Sequence, residues 1–469
     1  MKRFPWYGPV RTVIALALVV GAGMAQASPN AAAGLFAAPG ERWAISTFSG
    51  MGNGSHVSLA FSPASGIPWI SYYEDLTSSL VVGHFVGSGG NCGPNTSWEC
   101  HNVDVAGSMG MFSSIDIYPD TNPDPFISTW KVGVAYYDAD HGALKFAEYT
   151  CFMGSCGWDV VTVQDADYVG APVYGQYASL KYSPGGKAQI AFYVSNLASD
   201  DALNFAYEVT SEGSCGEGAA AGLWECEEVD SGDHLGQYAS LDTSTFMMHP
   251  FIAYYDGGAG DLKFAYYDGT AGSCGDGNRW HCFTMDGTDG SDQGKFVSIH
   301  VPERAGDKMQ FAYYDATHGK LRYAVETSGV GNCSPWNGYR CDDIEAVGAG
   351  LAQVGISLAV DLDNIPLIAY RDQTAPGEPS DLKVAQPAYS LGLTYGNCGP
   401  ETPFSTWQCA AIDEGWSGVD MADYASLAFS PSGLAMIAYS SWITYGDPDY
   451  YALRYAYQQA LVYLPVVRR

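Results

Sequence analysis

SLDTSTFMMHPFIAYYDGGAGDLKFAYYDGTAGSCGDGNRWHCFTMD occupies Ser240–Asp286, and from Ser298 the chain continues SIHVPERAGDKMQFAYYDATHGKLRYAVETSGVGNCSPWNGYRCDDIE. The two stretches say the same four things in the same order. A serine with an aliphatic neighbour comes first, then an aromatic pair ending in Asp. A Leu-basic-aromatic-Ala run follows, and last an aromatic-x-Cys run. A phrase that returns at a fixed interval marks a structural unit that returns.

The serine recurs at Ser58, Ser114, Ser179, Ser240, Ser298, Ser357 and Ser426, in steps of 56, 65, 61, 58, 59 and 69 residues. Within LKFAYY, Leu262, Phe264 and Tyr266 share one side while Lys263, Ala265 and Tyr267 share the other. A period of two is the mark of a strand. Turns such as SPSG and SPGG join the first run to the second, and no segment reads as a long amphipathic helix. Seven copies of four short antiparallel strands predict an all-β, seven-bladed β-propeller. The serine strands are expected innermost, where converging strands leave room for small side chains.

The twelve cysteines fall two to a repeat in six of the seven copies, always between the third and fourth runs. Local pairing in an even set predicts the disulfides Cys92–Cys100, Cys151–Cys156, Cys215–Cys226, Cys274–Cys282, Cys333–Cys341 and Cys398–Cys409. The seventh copy stops after ALRYAYQ and has no fourth run. The missing run stands at the other end, where RWAISTFSG (Arg42–Gly50) aligns with RWHCFTMDG (Arg279–Gly287) and Ile45 takes the place of Cys282. The N-terminal strand is therefore expected to complete the last blade, which removes two open sheet edges.

The domain plan is a signal peptide over 1–27, a flexible leader over 28–40, the propeller over 41–457 and a C-terminal tail over 458–469. Lys2, Arg3 and Arg11, then VIALALVV, then Ala25-Gln26-Ala27 supply the basic, apolar and small-residue parts of an export signal. No later run is long and apolar enough to span a bilayer, so the mature protein is expected to be secreted or associated with a bacterial cell surface. Removing the signal leaves 18 basic against 51 acidic residues, a formal charge of −33. Such a surface excludes nucleic acid as a partner, since that affinity rests on Lys and Arg meeting phosphate. It leaves a glycan, a cation or a cell-surface protein. The tail LVYLPVVRR (Leu461–Arg469) reads either as a sorting segment or as an extra strand.

Two repeated positions are expected on one face of the ring. One lies two places before the serine and is filled by His56, Phe112, Tyr177, Tyr238, Phe296 and Tyr424, with Gly355 in the sixth copy. The other closes the aromatic pair, at Asp75, Asp138, Asp256, Asp315 and Asp372, with Arg371 beside the last. Aromatics ringed by carboxylates suit stacking and hydrogen bonding to a sugar, or capture of a cation; the same aspartates also suit turn capping. Asp286, Asp289 and Asp292, three apart, form a weak Ca²⁺ candidate without the spacing of an EF-hand. His234, in DSGDHLG, breaks the pattern of its neighbours, as does the stretch SSWITYGDPDYY (Ser440–Tyr451), which reads as a long loop.

The YYD and G-L-K-x-A phrases resemble those of secreted bacterial repeat proteins over nearly the whole mature chain, and the fold resembles that of the sialidase-like propellers. The sialidase resemblance implies glycoside hydrolysis, with three arginines on the substrate carboxylate and a Tyr/Glu nucleophile pair. The chain departs from that pattern. It has no S-x-D-x-G-x-x-W box and no Arg-Ile-Pro entry. Arg322 and Arg454 fill the slot of Lys145, Lys263 and Lys383, and Arg279 and Arg340 stand by the cysteine loops, so Arg371 alone faces the funnel side. The expected function is non-catalytic recognition or scaffolding through one propeller face. The alternative is a glycoside hydrolase or polysaccharide lyase with a carboxylate site there. Peptide mapping without reductant should recover the six local disulfides; a link such as Cys100–Cys151 would overturn both the pairing and the repeat boundaries.

Overall fold

The computed structural model describes residues 43–48, 54–119, 130–152, 155–166, 172–196, 200–287, 290–335, 337–373, 377–401, 405–444 and 449–459. All belong to one compact unit, Ala37–Arg469. The signal, the leader, Asp289 and the last ten residues lie outside the described set.

The strands form seven antiparallel sheets in sequence order. Blade 1 is Gly54–Phe61, Pro68–Glu74, Ser79–Phe85 and Trp98–Asp104, and blade 2 is Met109–Tyr118, Lys131–Asp138, Ala143–Phe152 and Ser155–Gln164. Blade 3 is Val173–Tyr182, Ala188–Ser195, Asp201–Glu208 and Trp224–Gly232, and blade 4 is Leu235–Thr243, Pro250–Asp256, Asp261–Tyr267 and Trp280–Asp286. Blade 5 is Gln293–His300, Gln310–Asp315, Lys320–Glu326 and Tyr339–Ala346. Blade 6 is Ser357–Val360, Pro366–Asp372, Asp381–Pro387 and Ser405–Asp413, with a short fifth strand, Cys398–Glu401, beyond it. Blade 7 is Val419–Phe429, Ala435–Ile443 and Tyr450–Gln458, and its fourth strand is Trp43–Thr47. The expected closure holds to the residue: Ile45 faces Ala456 as Cys282 faces Ala265. The stretch Ser440–Tyr451 is not one long loop, because Ser440–Ile443 ends one strand and Tyr450 and Tyr451 begin the next.

The seven serines do more than fit a narrow axis. Each Oγ accepts the backbone N–H of the aliphatic residue after the serine in the next blade, at 2.9–3.1 Å. Ser58 takes Ile115, Ser114 takes Leu180, Ser179 takes Leu241 and Ser240 takes Ile299. Ser298 takes Leu358, Ser357 takes Leu427, and Ser426 takes Leu59, which closes the circle. Serine and its aliphatic neighbour recur together because they are the acceptor and donor of one bond.

A second set of bonds crosses the seams farther out. The acid ending the fourth strand of one blade receives a buried tyrosine and a basic residue from the next. Asp104 holds Tyr136 and Lys145, Asp230 holds Tyr254 and Lys263, and Asp286 holds Tyr313 and Arg322. Glu345 holds Tyr370 and Lys383, and Asp413 holds Tyr439 and Arg454. The basic nitrogens stand 2.5–2.7 Å from the acid, the range of charge-assisted bonds. The lysine or arginine slot is thus a seam residue. Trp98, Trp224, Trp280 and Trp407, which open fourth strands, wedge edge-on against Tyr455, Phe146, Phe205 and Tyr323 of the preceding blade. Such pairs add about 0.5–1.5 kcal/mol beyond burial.

All six disulfides pair as the cysteine spacing predicts, and no cysteine is free. They suit an oxidising compartment, and among the described residues no helix is long and apolar enough to cross a membrane. Replacing Ser240 by Ala removes the acceptor for Ile299 and should cost about 1 kcal/mol in urea unfolding. Deleting residues 28–50 should cost far more, because blade 7 loses its fourth strand; a truncated chain that melts with the parent would refute the closure.

Candidate functional site

The first strands carry a bulge just before the serine. In blade 3 the register passes from Gln176↔Tyr193 to Ser179↔Ala191, three residues against two. The extra residue is the aromatic. His56, Phe112, Tyr177, Tyr238 and Phe296 all sit in the left-handed region, with φ of 51–54°. A side chain there is strained by about 1–3 kcal/mol and persists only where its surroundings hold it. Glycines two places earlier make room: a Cβ on Gly110 would lie 2.9 Å from the Leu80 backbone of the neighbouring blade, and one on Gly294 2.7 Å from Leu262.

The bulges turn the side chains toward the axis. Adjacent rings lie 4.7 Å apart from His56 to Phe112, Phe112 to Tyr177 and Tyr177 to Tyr238, and 4.4 Å from Tyr238 to Phe296. Tyr424 completes the arc at 4.3 Å from His56, with its hydroxyl 3.4 Å from His56 Nε2. These six half-buried rings line a cavity of about 330 Å³.

The arc has one gap. Gly355 stands there with φ +55°, and a Cβ on it would fall 2.2 Å from the Ala422 carbonyl oxygen. Blade 7 leans over that point because its own bulge is larger, with four residues from Met421 to Ala425 set against two, and with Ala422 left-handed at φ 62°. No side chain fits, and the gap becomes a notch walled by Gln353 and Asp423.

A second tier stands behind the arc. Tyr73, Tyr137, Tyr193, Tyr255 and Tyr314, the second tyrosines of the YYD phrases and their equivalent in blade 3, meet the arc rings at 5.9–6.4 Å. The residue before each arc aromatic reaches back to this tier: Gln176 bonds Tyr137 and Gln237 bonds Tyr193. Arg371 occupies the tier in blade 6, and Asp423 of blade 7 meets it as a buried ion pair. Asp423 and Gln353 were not singled out from sequence. The signal for Asp423 was an acid where its counterparts are Ser55, Met111, Gln176, Gln237 and Lys295.

The aspartates of the second set do not line the cavity. Asp138 accepts the N–H groups of Asp140 and His141, Asp256 that of Ala259 and Asp315 that of His318, all within turns. Asp372 is bonded by Lys383. His234 is mostly exposed and faces Asp201. Asp286 is held in a seam by Arg322, whereas Asp292 receives Tyr255 and Lys295. The described residues hold no group of three or more His, Cys, Asp or Glu suited to a metal ion.

Burial pulls His56 down from 6.5 to about 3, so it is neutral within the arc. Burial raises the Tyr177, Tyr238 and Tyr424 hydroxyls, which remain protonated donors. Asp75 is pushed up to about 6 by burial, against a lowering bond from Ser55. Asp423 is raised by burial and lowered by Arg371, with burial the larger effect.

No protein-family model matches the chain, and no curated protein matches it. Among solved structures it is similar to AofleA from Arthrobotrys oligospora, at 10% identity and TM-score 0.40, over 80% of this chain and 90% of that one. It is similar to the Hadza microbial sialidase Hz136, at 10% identity and TM-score 0.42, over 88% of this chain and 66% of that one. It is also similar to the polysaccharide lyase Uly1, at 9% identity and TM-score 0.42, over 87% and 90%.

His56 is neutral in the folded chain and takes up a proton when unfolded between about pH 6.5 and 3. Its contribution to stability is therefore whole above 6.5 and declines as pH falls through that window. Asp75 acts in the opposite sense, so the comparison with His56→Phe isolates the histidine. The variant should gain stability relative to the parent as pH falls from 6.5 toward 3, and a constant difference in thermal melts would refute the assignment.

Proposed function

We propose that the chain is an exported bacterial protein that recognises a carbohydrate in the aromatic funnel without transforming it. The observation that carries the reading is the arc itself: six rings, five of them on strained backbone, around one open cavity of about 330 Å³. That volume is at the lower end of small-ligand sites and suits one or two sugar units. Ring faces take up the apolar C–H faces of a sugar and release water, while the tyrosine hydroxyls, His56, Gln353 and Asp423 offer polar partners to hydroxyls. Near-repetition of the arc favours binding, since chemistry needs different groups in acid, base and positioning roles. The six disulfides and the sequence of the first 27 residues support an extracellular place.

A second reading, a glycoside hydrolase or polysaccharide lyase, draws on Asp75. A carboxyl group held near 6 can serve as a general acid, and Asp423 across the notch supplies a second carboxylate, as glycosidases require. A glycan array and a polysaccharide-degradation screen separate the readings. Binding without turnover is expected, weakened about tenfold by Tyr177→Ala or Tyr238→Ala, or roughly 1.4 kcal/mol. Turnover abolished by Asp75→Asn would replace the binding reading with the enzymatic one.

A further inference from the structure

The notch is where the sevenfold pattern fails, and what replaces the pattern is acidic. Asp423 is 6% exposed, lies on the cavity wall and is bonded by Arg371 and the Tyr451 hydroxyl. Tyr451 backs Tyr424 edge-on at 5.9 Å. A second carboxylate, Asp75, lies close enough to act on both Tyr424 and Tyr451. Its Oδ1 accepts the Ser55 hydroxyl, while its Oδ2 is buried without a hydrogen-bond partner. Arg371, the cation of this wall, is already held by Asp423, so the notch has one carboxylate more than it has cations. The whole chain adds a formal charge of −30, which repels anions and draws cations into a low-dielectric mouth. The neighbouring aromatic rings attract a cation as well.

We propose that the notch selects a sugar bearing a protonated amine, an amino-sugar unit whose ring rests on the His56–Tyr424 side of the arc and whose ammonium meets Asp423. The inference rests on the glycan reading above and names its substrate class. A neutral sugar forgoes the charge interaction, an N-acetylated one has lost the charge, and a uronate brings the wrong sign into the notch.

Calorimetric titration of the full chain with glucosamine, N-acetylglucosamine, glucose and glucuronate, slightly below neutral pH and at low and high salt, tests this. Glucosamine should bind about tenfold tighter than glucose or N-acetylglucosamine, which corresponds to one charge interaction of about 1.4 kcal/mol. Glucuronate should bind weakest, and the preference for glucosamine should shrink at high salt. D75N should reduce the glucosamine preference about threefold, and D423N by more. D423N leaves Arg371 buried without its partner, so its melting curve is recorded beside the titration, and D75N carries the test if D423N does not fold. Glucose or N-acetylglucosamine binding as tightly as glucosamine would overturn the inference and leave the glycan reading standing. Failure of every sugar and glycan to bind would remove the glycan reading itself, and the inference with it.

Discussion

The structure depends on a circle of seven hydrogen bonds from backbone amides to serine hydroxyls. One such bond contributes little, about 1 kcal/mol. Its geometric demand is larger than its energy. A hydroxyl on one innermost strand meets an amide on the next only at one offset and one rotation between blades. Repeated from Ser58 to Ile115 and round to Leu59, that demand sets the pitch of the ring. The bulge sits immediately upstream of the serine on the same strand, so the circle also sets the height and spacing of the aromatic arc. The size of the mouth is a property of seven blades, and the aromatics inherit it.

The seams outside this circle are of two kinds. Five carry the acid, tyrosine and base described above. At the seam between blades 2 and 3 the corresponding residues are Gln164, Phe192 and Asn204, and the Gln164 and Asn204 side-chain oxygens are buried without a partner. At the seam between blades 7 and 1 the basic slot holds Val81, which packs with Phe48, Val57 and Tyr72. A buried ion pair is a weak source of net stability, because desolvation offsets much of the attraction. Mispairing is another matter: a carboxylate set against an apolar seam is left uncompensated and strongly disfavoured. The unlike seams therefore distinguish repeats whose strands otherwise look alike.

The periodic part of this architecture was legible in the sequence. Strands showed in the alternation of LKFAYY, blades in the seven serines, staples in the cysteine spacing, and closure in the match of Trp43–Phe48 to Trp280–Met285. The arc showed because its residues keep a constant distance from the serines. What was not legible crosses between repeats. Nothing in ASL says that its hydroxyl and its next amide belong to one chain of bonds. The aspartates of the YYD phrases look like ligands until the N–H groups of His141 and His318 are found on Asp138 and Asp315. Gly355 reads as a missing aromatic, while its cause, the Ala422 carbonyl, lies 67 residues further on. Asp423 was hidden beside Tyr424, whose pattern drew the reading.

The strand that completes blade 7 has a consequence in time. Trp43 pairs with Gln458, more than 400 residues away. During synthesis it emerges among the first residues and its partner among the last, so it waits unpaired while blades 1 to 6 assemble from neighbouring segments. The entropy of joining such distant segments grows only as the logarithm of their separation, yet it must be met in a single late step with no local contacts to share it. Assembly is then sequential for six blades and concerted for the seventh. A chain halted anywhere before residue 450 exposes two bare sheet edges at once, one on the waiting strand's intended blade and one on blade 1, and export in an extended state would postpone that exposure until the whole ring can form.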